Sequence, residues 1–337
     1  MSKLPHSITI QDVARSAGVS VSTISRVLNN KADVSLETQE HVKEVIQSLG
    51  YTSNLAARSM RSLHTNIIGV IVPDIEHPFS HEVLKGINRV IASSKYDLLV
   101  YTTGSFQKQD TAQHEQQYVS RLNGTITDGV IVVTPSASTF TSNAPIVTID
   151  PHVFSPEYPT IFTNHYQGAV EVMRYLIGLN HSRIAYISGR PGLQNTERYK
   201  AYCDELEKAG IVFDSDLLVT GDYSTDSGES CARSLLSLPR PPSAIFAAND
   251  QTALGVLKAA KTARIKIPQD LSLVGFDNIP ETQYCGLTTV DQSLVEMGRQ
   301  AVELLINLIE DKTIETHTIQ IAPSLVIRES CQVYMPE

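Results

Sequence analysis

The chain has 337 residues, 42% of them hydrophobic and 19% charged, with a formal net charge of −9. That length leaves room for two or three domains with large buried cores, and the acidic total excludes a surface coated with nucleic acid. The charge is uneven: residues 1–62 hold seven Lys/Arg against five Asp/Glu, a net +2 that leaves −11 on the rest, as expected if contact with a polyanion is confined to the N-terminus.

The first residues, MSKLPHSITIQ, contain no apolar stretch of the kind that opens a secretory signal. Residues 9–30, TIQDVARSAGVSVSTISRVLNN, read as two short helices joined by a tight turn. Thr9 suits an N-cap, and Asp12 puts negative charge in the first turn. Ile10, Val13, Ala14 and Ala17 then recur at i, i+3, i+4 and i+7, one apolar stripe. Gly18 ends the helix, because it lacks the Cβ that penalises a positive φ. Ser20 caps a second helix with Ile24, Val27 and Leu28 inward and Val21, Ser22, Ser25 and Arg26 outward. Small side chains opening a short helix, with an arginine one turn on, fit a DNA major groove. Taken alone, the stretch also fits a plain helical hairpin. A third helix covers 35–49, with Ser35 as cap, Val42, Val45, Ile46 and Leu49 inward, and Gly50 as stop. The next segment, NLAARSMRS at 54–62, is made of helix formers without a full apolar face. It is too short to hold a helix unaided, so it is expected to fold when something packs on it.

From Ile67 the pattern changes. Apolar runs at 67–72, 97–102, 129–133, 145–149, 183–188, 244–248 and 271–276 read as strands covered on both faces. Amphipathic helices fill the gaps, around 79–93, 108–123, 166–179, 195–209, 225–238, 252–263 and 293–310. This βαβ rhythm predicts two doubly wound sets, about 66–163 and 165–290, with right-handed crossovers. Strands around 316–330 return afterwards to complete the first sheet and brace the second. A ligand crevice belongs at the C-terminal ends of such strands. Cys203, Cys231, Cys285 and Cys331 are far apart with no C-x-x-C pair, as reduced, mostly buried thiols of a cytoplasmic protein are.

Several long motifs stand in a fixed order: T-I-Q-D-V-A-R-S-A-G-V-S-V-S-T-I-S-R-V-L-N at 9–29, L-G-Y-x-x-N at 49–54, A-R-S-M-R at 57–61, I-I-G-V-I-V-P-D-I-E-H-P-F at 67–79, A-A-N-D at 247–250 and V-G-F-D at 274–277. With them the chain resembles, over essentially its whole length, the lac-repressor and gal-repressor family of bacterial transcription regulators. The resemblance implies an all-α headpiece at 1–62, with a helix-turn-helix at 9–30, a third helix at 35–49 and a hinge helix at 54–61. It implies a periplasmic-binding-protein-like body of two doubly wound parallel sheets, lobe 1 being 64–163 plus 292–322 and lobe 2 being 164–291 plus 323–337. The DNA contacts it implies are Thr9, Ser20, Val21, Ser22, Thr23, Ser25, Arg26 and Asn29, then Asn54, Ala57, Met60 and Arg61 in the hinge. Val21 and Ser22 stand where bases are chosen, and Arg26 can form a bidentate pair with guanine. Met60 matches the wedge that enters the minor groove, and Ser53 replaces a common proline, which leaves the hinge entry less rigid.

For the effector, the resemblance implies a cavity chemistry suited to a polyhydroxylated ligand. Arg198 and Asp277 would each take two vicinal hydroxyls and Asn249 a third, while Phe79 and Tyr223 stack on a ring. Asp150, Gln194 and Gln292 complete the set. An Arg198–Asp277 salt bridge is the alternative resting state, and Asp250 is read as a helix cap. Ser80, where relatives carry a second aromatic residue, would open the first-lobe wall toward a disaccharide. The expectation is a cytoplasmic, homodimeric repressor of sugar-utilisation genes, bound to a pseudo-palindromic double-stranded operator and controlled by a small carbohydrate. A purine or nucleoside effector is the alternative; a solute-binding transport protein is disfavoured by the headpiece and the missing signal. No G-x-G-x-x-G, P-loop, G-x-S-x-G or metal-ligand cluster is present, so no enzyme, catalytic residue, metal, cofactor or membrane contact is expected. His6, His64, His165 and His317 have no evident partners at metal-ligand spacing and are assigned solvated or structural roles.

Overall fold

The computed structural model describes residues 8–28, 33–51, 64–104, 111–153, 155, 157–314 and 316–335. They fall into two units, Met1–Thr65 and Asn66–Glu337. In the first, α1 (Ile10–Ala17) starts at Thr9, whose hydroxyl accepts from the Asp12 N–H while the Asp12 carboxylate accepts from the Thr9 N–H. This reciprocal cap satisfies two donors at once. Gly18 follows with φ 65°, and its N–H returns to the last turn of α1. Next come α2 (Val21–Leu28) and α3 (Leu36–Leu49), the latter held between the Ser35 cap and Gly50. Val13, Ala14, Ala17, Ile24, Val27 and Val42 form one small core. The hinge helix expected at 54–61 lies outside the described residues.

The second unit carries two parallel sheets. The first contains β1 (Ile67–Val72), β2 (Asp97–Thr102), β3 (Gly129–Val133), β4 (Ile146–Ile149), β5 (Thr160–Thr163) and β11 (Thr318–Ile321), in the order β11-β5-β4-β3-β1-β2. The second contains β6 (Ile184–Ser188), β7 (Leu218–Thr220), β8 (Ala244–Ala247) and β9 (Ser272–Val274), in the order β7-β6-β8-β9. A separate antiparallel ladder joins β10 (Thr289–Asp291) to β12 (Ser324–Val326). Every residue of β1, β3, β6 and β8 is buried, because helices cover both faces. The helices are α4 (Pro78–Ile91), α5 (Thr111–Leu122), α6 (His165–Gly178), α7 (Leu193–Lys208), α8 (Thr225–Leu236), α9 (Asp250–Ala263), the short α10 (Glu281–Tyr284) and α11 (Leu294–Ile309). After the second sheet, the chain returns as α11 to pack on α4, β3, β4 and β5, and Met297, Ala301, Val302 and Leu305 join the core of the first sheet.

Both sheets reverse strand order next to their first strand, between β1 and β3 and between β6 and β8. Those switch points leave a crevice at the strand C-termini. Three strands escaped the sequence reading, one of them the three-residue β10. β5 has four residues, and β7 has three half-exposed or exposed ones at a sheet edge, too few to show a period-2 signal. The stretch expected to be a strand at 271–276 is reduced to β9, because from Gly275 the backbone donates to the Thr288 and Val290 carbonyls and leaves the pairing with β8. All four cysteines are free thiols; Cys285 departs from the expected burial and is exposed. No helix among the described residues is long and apolar enough to cross a membrane.

Candidate functional site

Two surfaces concern function, one on the headpiece and one in the body. On the headpiece, the Ser20 hydroxyl accepts from the Thr23 N–H at 3.1 Å and bonds to the Ser22 and Thr23 hydroxyls, so the start of α2 is locally braced. Ser22 and Arg26 are exposed and Ser25 is half-buried. Val21 corrects the expectation that it points outward: it packs partly on the headpiece core, because positions 21, 24 and 28 share one helical stripe. Thr9 is engaged by Asp12, its hydroxyl donating at 2.7 Å. Arg26 forms an ion pair with Asp33 at 2.6 Å, both side chains more than half exposed. Asn29, Asn54, Ala57, Met60 and Arg61 lie outside the described residues.

In the body, a cavity opens where the C-terminal ends of the two sheets meet, the crevice position usual for small-molecule sites in such folds. Phe79 after β1 and Asp150 after β4 line it from the first sheet. Gln194 and Arg198 on α7, Tyr223 after β7, Asn249 after β8 and Asp277 after β9 line it from the second, with Gln292 after β10. All eight residues expected around an effector therefore share one cavity. His77, Thr134 and His152 line it as well. Ser80 does not: its side chain is fully buried and forms no part of the cavity lining.

Four lining residues, Thr134 (φ 45°), Asp150 (φ 48°), Tyr223 (φ 71°) and Asp277 (φ 122°), hold positive φ without being glycine. Each such residue costs about 1–3 kcal/mol, and clusters of them mark functional sites. Gly189 has a related reason for its identity: a Cβ there would collide with the Tyr223 ring. Burial pushes the Tyr223 phenol up to about 12, so it stays neutral.

A buried chain of charge crosses the floor of the cavity. Asp150 Oδ1 lies 2.6 Å from His165 Nε2, and His165 Nδ1 lies 3.1 Å from an Arg198 Nη. Guanidinium can only donate, so Nδ1 accepts and the ring proton sits on Nε2, facing Asp150. Burial, reinforced by Arg198 against the pull of Asp150, holds His165 below its ordinary pKa, hence neutral. Burial alone would raise Asp150, but His165 and Arg198 outweigh it and keep the carboxylate ionised. Arg198 also donates to the Ala248 carbonyl at 2.5 Å and stacks 3.8 Å over the Phe276 ring. Gln194 ties the same strand end down, donating to the Asp150 carbonyl at 2.6 Å and meeting His152 Nδ1 at 2.9 Å. His165 thus has a structural role, with buried partners that local spacing could not reveal.

The opposite wall is different. The Asp277 carboxylate accepts from the Gln292 amide at 2.5 Å. Burial and the neighbouring Asp150, against the pull of Arg198, raise its pKa to about 7. The salt bridge with Arg198 weighed from the sequence is not formed, since the Arg198 nitrogens go to Ala248 and His165. Asp250 is not a helix cap. Asn249 holds that role, its Oδ1 accepting from the Thr252 N–H at 2.9 Å and hydroxyl at 2.7 Å, so what remains for the cavity is an amide donor. Asp250 instead accepts from the Ile279 N–H and the Thr289 hydroxyl, fixing the loop that presents Asp277; burial and Asp277 push its pKa well up. Among the described residues, Thr134 Oγ1, Arg198 Nε and Gln292 Oε1 are buried without a hydrogen-bond partner. Such groups are expensive unless something arrives to meet them.

The sequence reading missed His77, Thr134 and His152. His77 and His152 stand within two residues of Phe79 and Asp150, so the motifs I-E-H-P-F and I-D-P-H carried the signal; Thr134 carried none beyond ending a strand. Burial lowers the His77 pKa to about 4 and that of His152 in the same direction, which leaves both as neutral hydrogen-bonding groups. No group of three or more His, Cys, Asp or Glu among the described residues could hold a metal ion.

Comparison with known proteins follows the same division. Residues 9–54 match the profile described as bacterial regulatory proteins, lacI family, and residues 173–331 match a periplasmic binding protein-like domain. Catabolite control protein A of Priestia megaterium is 31% identical over 96% of this chain and 99% of its own length. The ribose operon repressor of Halalkalibacterium halodurans is 33% identical over 96% of each. Among solved structures, a complex of the transcriptional regulator CelR with cellobiose matches at TM-score 0.69 and 27% identity, covering 96% of this chain and 99% of that one. A lac repressor dimer bound to operator and the anti-inducer ONPF matches at TM-score 0.81 and 24% identity over the same shares, a likeness of fold.

Proposed function

The chain belongs to the lacI family of bacterial regulatory proteins, and on that footing we propose that it represses sugar-utilisation genes under the control of a small carbohydrate held in the body cavity. It is a DNA-binding transcriptional regulator and not an enzyme. In this reading a homodimer sets one α2 in each of two successive major grooves of a pseudo-palindrome, with Ser22 and Arg26 facing base edges. Its DNA target makes it a cytoplasmic protein. The lobes are 64–163 with 292–322 and 164–291 with 323–337. Sugar draws them together by bridging Phe79 and Asp150 of the first lobe to Arg198 and Asp277 of the second, and the change reaches the headpiece through the 54–61 segment. Coupling of about 1–3 kcal/mol is enough to change operator affinity about 5–150-fold.

The observation that carries the effector assignment is the unspent hydrogen-bonding capacity of Arg198 Nε and Gln292 Oε1 beside Asp277, in a cavity walled by Phe79 and Tyr223. A ring with polar edges and apolar faces satisfies all of these, and neutral sugars are such rings. Relatives named for ribose and cellobiose support the same class. A thermal-shift screen of neutral mono- and disaccharides, nucleosides and purine bases tests it. A sugar is expected to raise the melting temperature. A response confined to purines or nucleosides would overturn the carbohydrate assignment.

A further inference from the structure

Tyr223 stands in the wall of the inner cavity. A second hollow of about 990 Å³, open to solvent, lies against it, and Thr134, His152 and Tyr223 belong to the walls of both. The outer hollow is lined by Pro73, Val153 and Pro191 as apolar surfaces and by Ser136 and Arg190 as polar ones. Arg190 is about two-thirds buried and stands 3.6 Å from Asp222, a distance at which the pair neutralises charge without a hydrogen bond. The hollow therefore presents unengaged guanidinium donors with little net charge. An anionic substituent would have to displace Asp222, whereas neutral hydroxyls need not.

The shared wall points the same way. Thr134 is 7% exposed, and its buried hydroxyl has no hydrogen-bond partner among the described residues. Its backbone sits at φ 45°, a conformation that a β-branched residue adopts only under constraint. A strained residue holding an orphaned hydroxyl between two compartments is suited to a polar atom that passes from one to the other.

We propose that the effector is a two-unit glycoside, with one sugar ring in the inner cavity, its linkage oxygen at Thr134, and a second neutral unit in the outer hollow against Arg190. This rests on the carbohydrate reading above and narrows it.

Calorimetry on the full chain with matched probes tests the proposal: D-glucose against cellobiose and maltose, D-galactose against lactose and melibiose, and glucose 6-phosphate beside them. The expected result is that one two-unit sugar binds at least about tenfold tighter than its own one-unit partner, the gain of one or two further hydrogen bonds. Arg190→Ala and Ser136→Phe, which remove the donor and fill the outer hollow, should each erase most of that gain. Both should leave one-unit binding within about twofold, as neither residue lines the inner cavity. Equal binding of one- and two-unit sugars, a gain that survives both variants, or tighter binding of glucose 6-phosphate than of any disaccharide would overturn the proposal while leaving a carbohydrate effector in place. If no sugar of either size binds, the carbohydrate reading fails and this one fails with it.

Discussion

In the headpiece, the polar side chains expected to meet DNA stand in solvent and lean on near neighbours in sequence: Thr9 on Asp12, Ser20 on Thr23, Arg26 on Asp33. In the cavity, the polar side chains are buried and their partners come from far along the chain: Asp150 with His165, 15 positions on; His165 with Arg198, 33 on; Arg198 with Ala248, 50 on. The difference is energetic as well as topological. An exposed pair such as Arg26–Asp33 contributes about 0.2–1 kcal/mol and yields readily to a phosphate or base. A buried, hydrogen-bonded chain of charge is expensive to break, because removing one member leaves a charge without water or counter-charge. One surface can exchange partners; the other holds a resting geometry until a ligand supplies the missing bonds.

The largest expected effect comes from breaking the buried chain. Arg198→Ala leaves the Asp150 carboxylate uncompensated and is expected to lower stability by about 3–5 kcal/mol in urea unfolding. Wild-type stability in that variant would mean that the chain does not carry the charge balance assigned to it. The exposed surface should behave oppositely. Arg26→Ala is expected to leave stability within about 0.5 kcal/mol. It should weaken binding to an operator selected from randomised duplexes by about 1–3 kcal/mol and relax preference at one base pair per half-site. Equal loss on random DNA would make Arg26 a phosphate contact instead.

Asp277→Asn removes a carboxylate that sugar hydroxyls would bond, and is expected to weaken sugar binding by about 1.5 kcal/mol. The same group gives a pH signature. Its folded pKa of about 7 lies above the ordinary value of 3.8. The stability linked to its proton is therefore complete below pH 4 and is lost as the pH rises through 7. Hydroxyl donors favour the ionised form, so sugar affinity should rise from pH 6 to pH 8 in the wild type and stay flatter in Asp277→Asn. Glu115, raised to about 7 by burial despite the Ser136 and Ala137 amides, adds a stability slope of the same sign that subtracting the variant removes, whereas Asp250, pushed well up by burial and Asp277, titrates with Asp277 and changes with it. A fall in affinity over that interval would show that the ligand prefers the carboxylic acid. The smallest effect belongs to the exposed pair: Asp33→Asn frees Arg26 and should tighten operator binding by no more than about 1 kcal/mol, measured by anisotropy.

The same contrast explains what the sequence made legible. Caps, turns and helical stripes are local, so Thr9, Gly18, Ser35 and Gly50 could be assigned from neighbours a few positions away. The fully buried strands β1, β3, β6 and β8 announced themselves as apolar runs, whereas β5 and β7 were too short to do so. The cavity was legible through motifs that end strands and, for Gln194 and Arg198 on α7, through the family resemblance. Asp150, Asn249 and Asp277 stand at such positions, and the structure brings them together. What each does there was not legible. Asn249 and Asp250 are adjacent polar residues, and only the approach of Ile279 and Thr289 makes one the cap and the other the anchor of a loop. His165 could not be read at all, since both its partners lie on other elements.

Operator binding by the full chain, titrated with and without the sugar that raises its melting temperature most, tests the central claim most directly. Saturating sugar is predicted to shift operator affinity about 5–150-fold in the wild type, with the dose needed moving to higher concentration in Asp277→Asn. A sugar that occupies the cavity by calorimetry yet leaves operator affinity unchanged would contradict the coupling between the two surfaces on which the account rests.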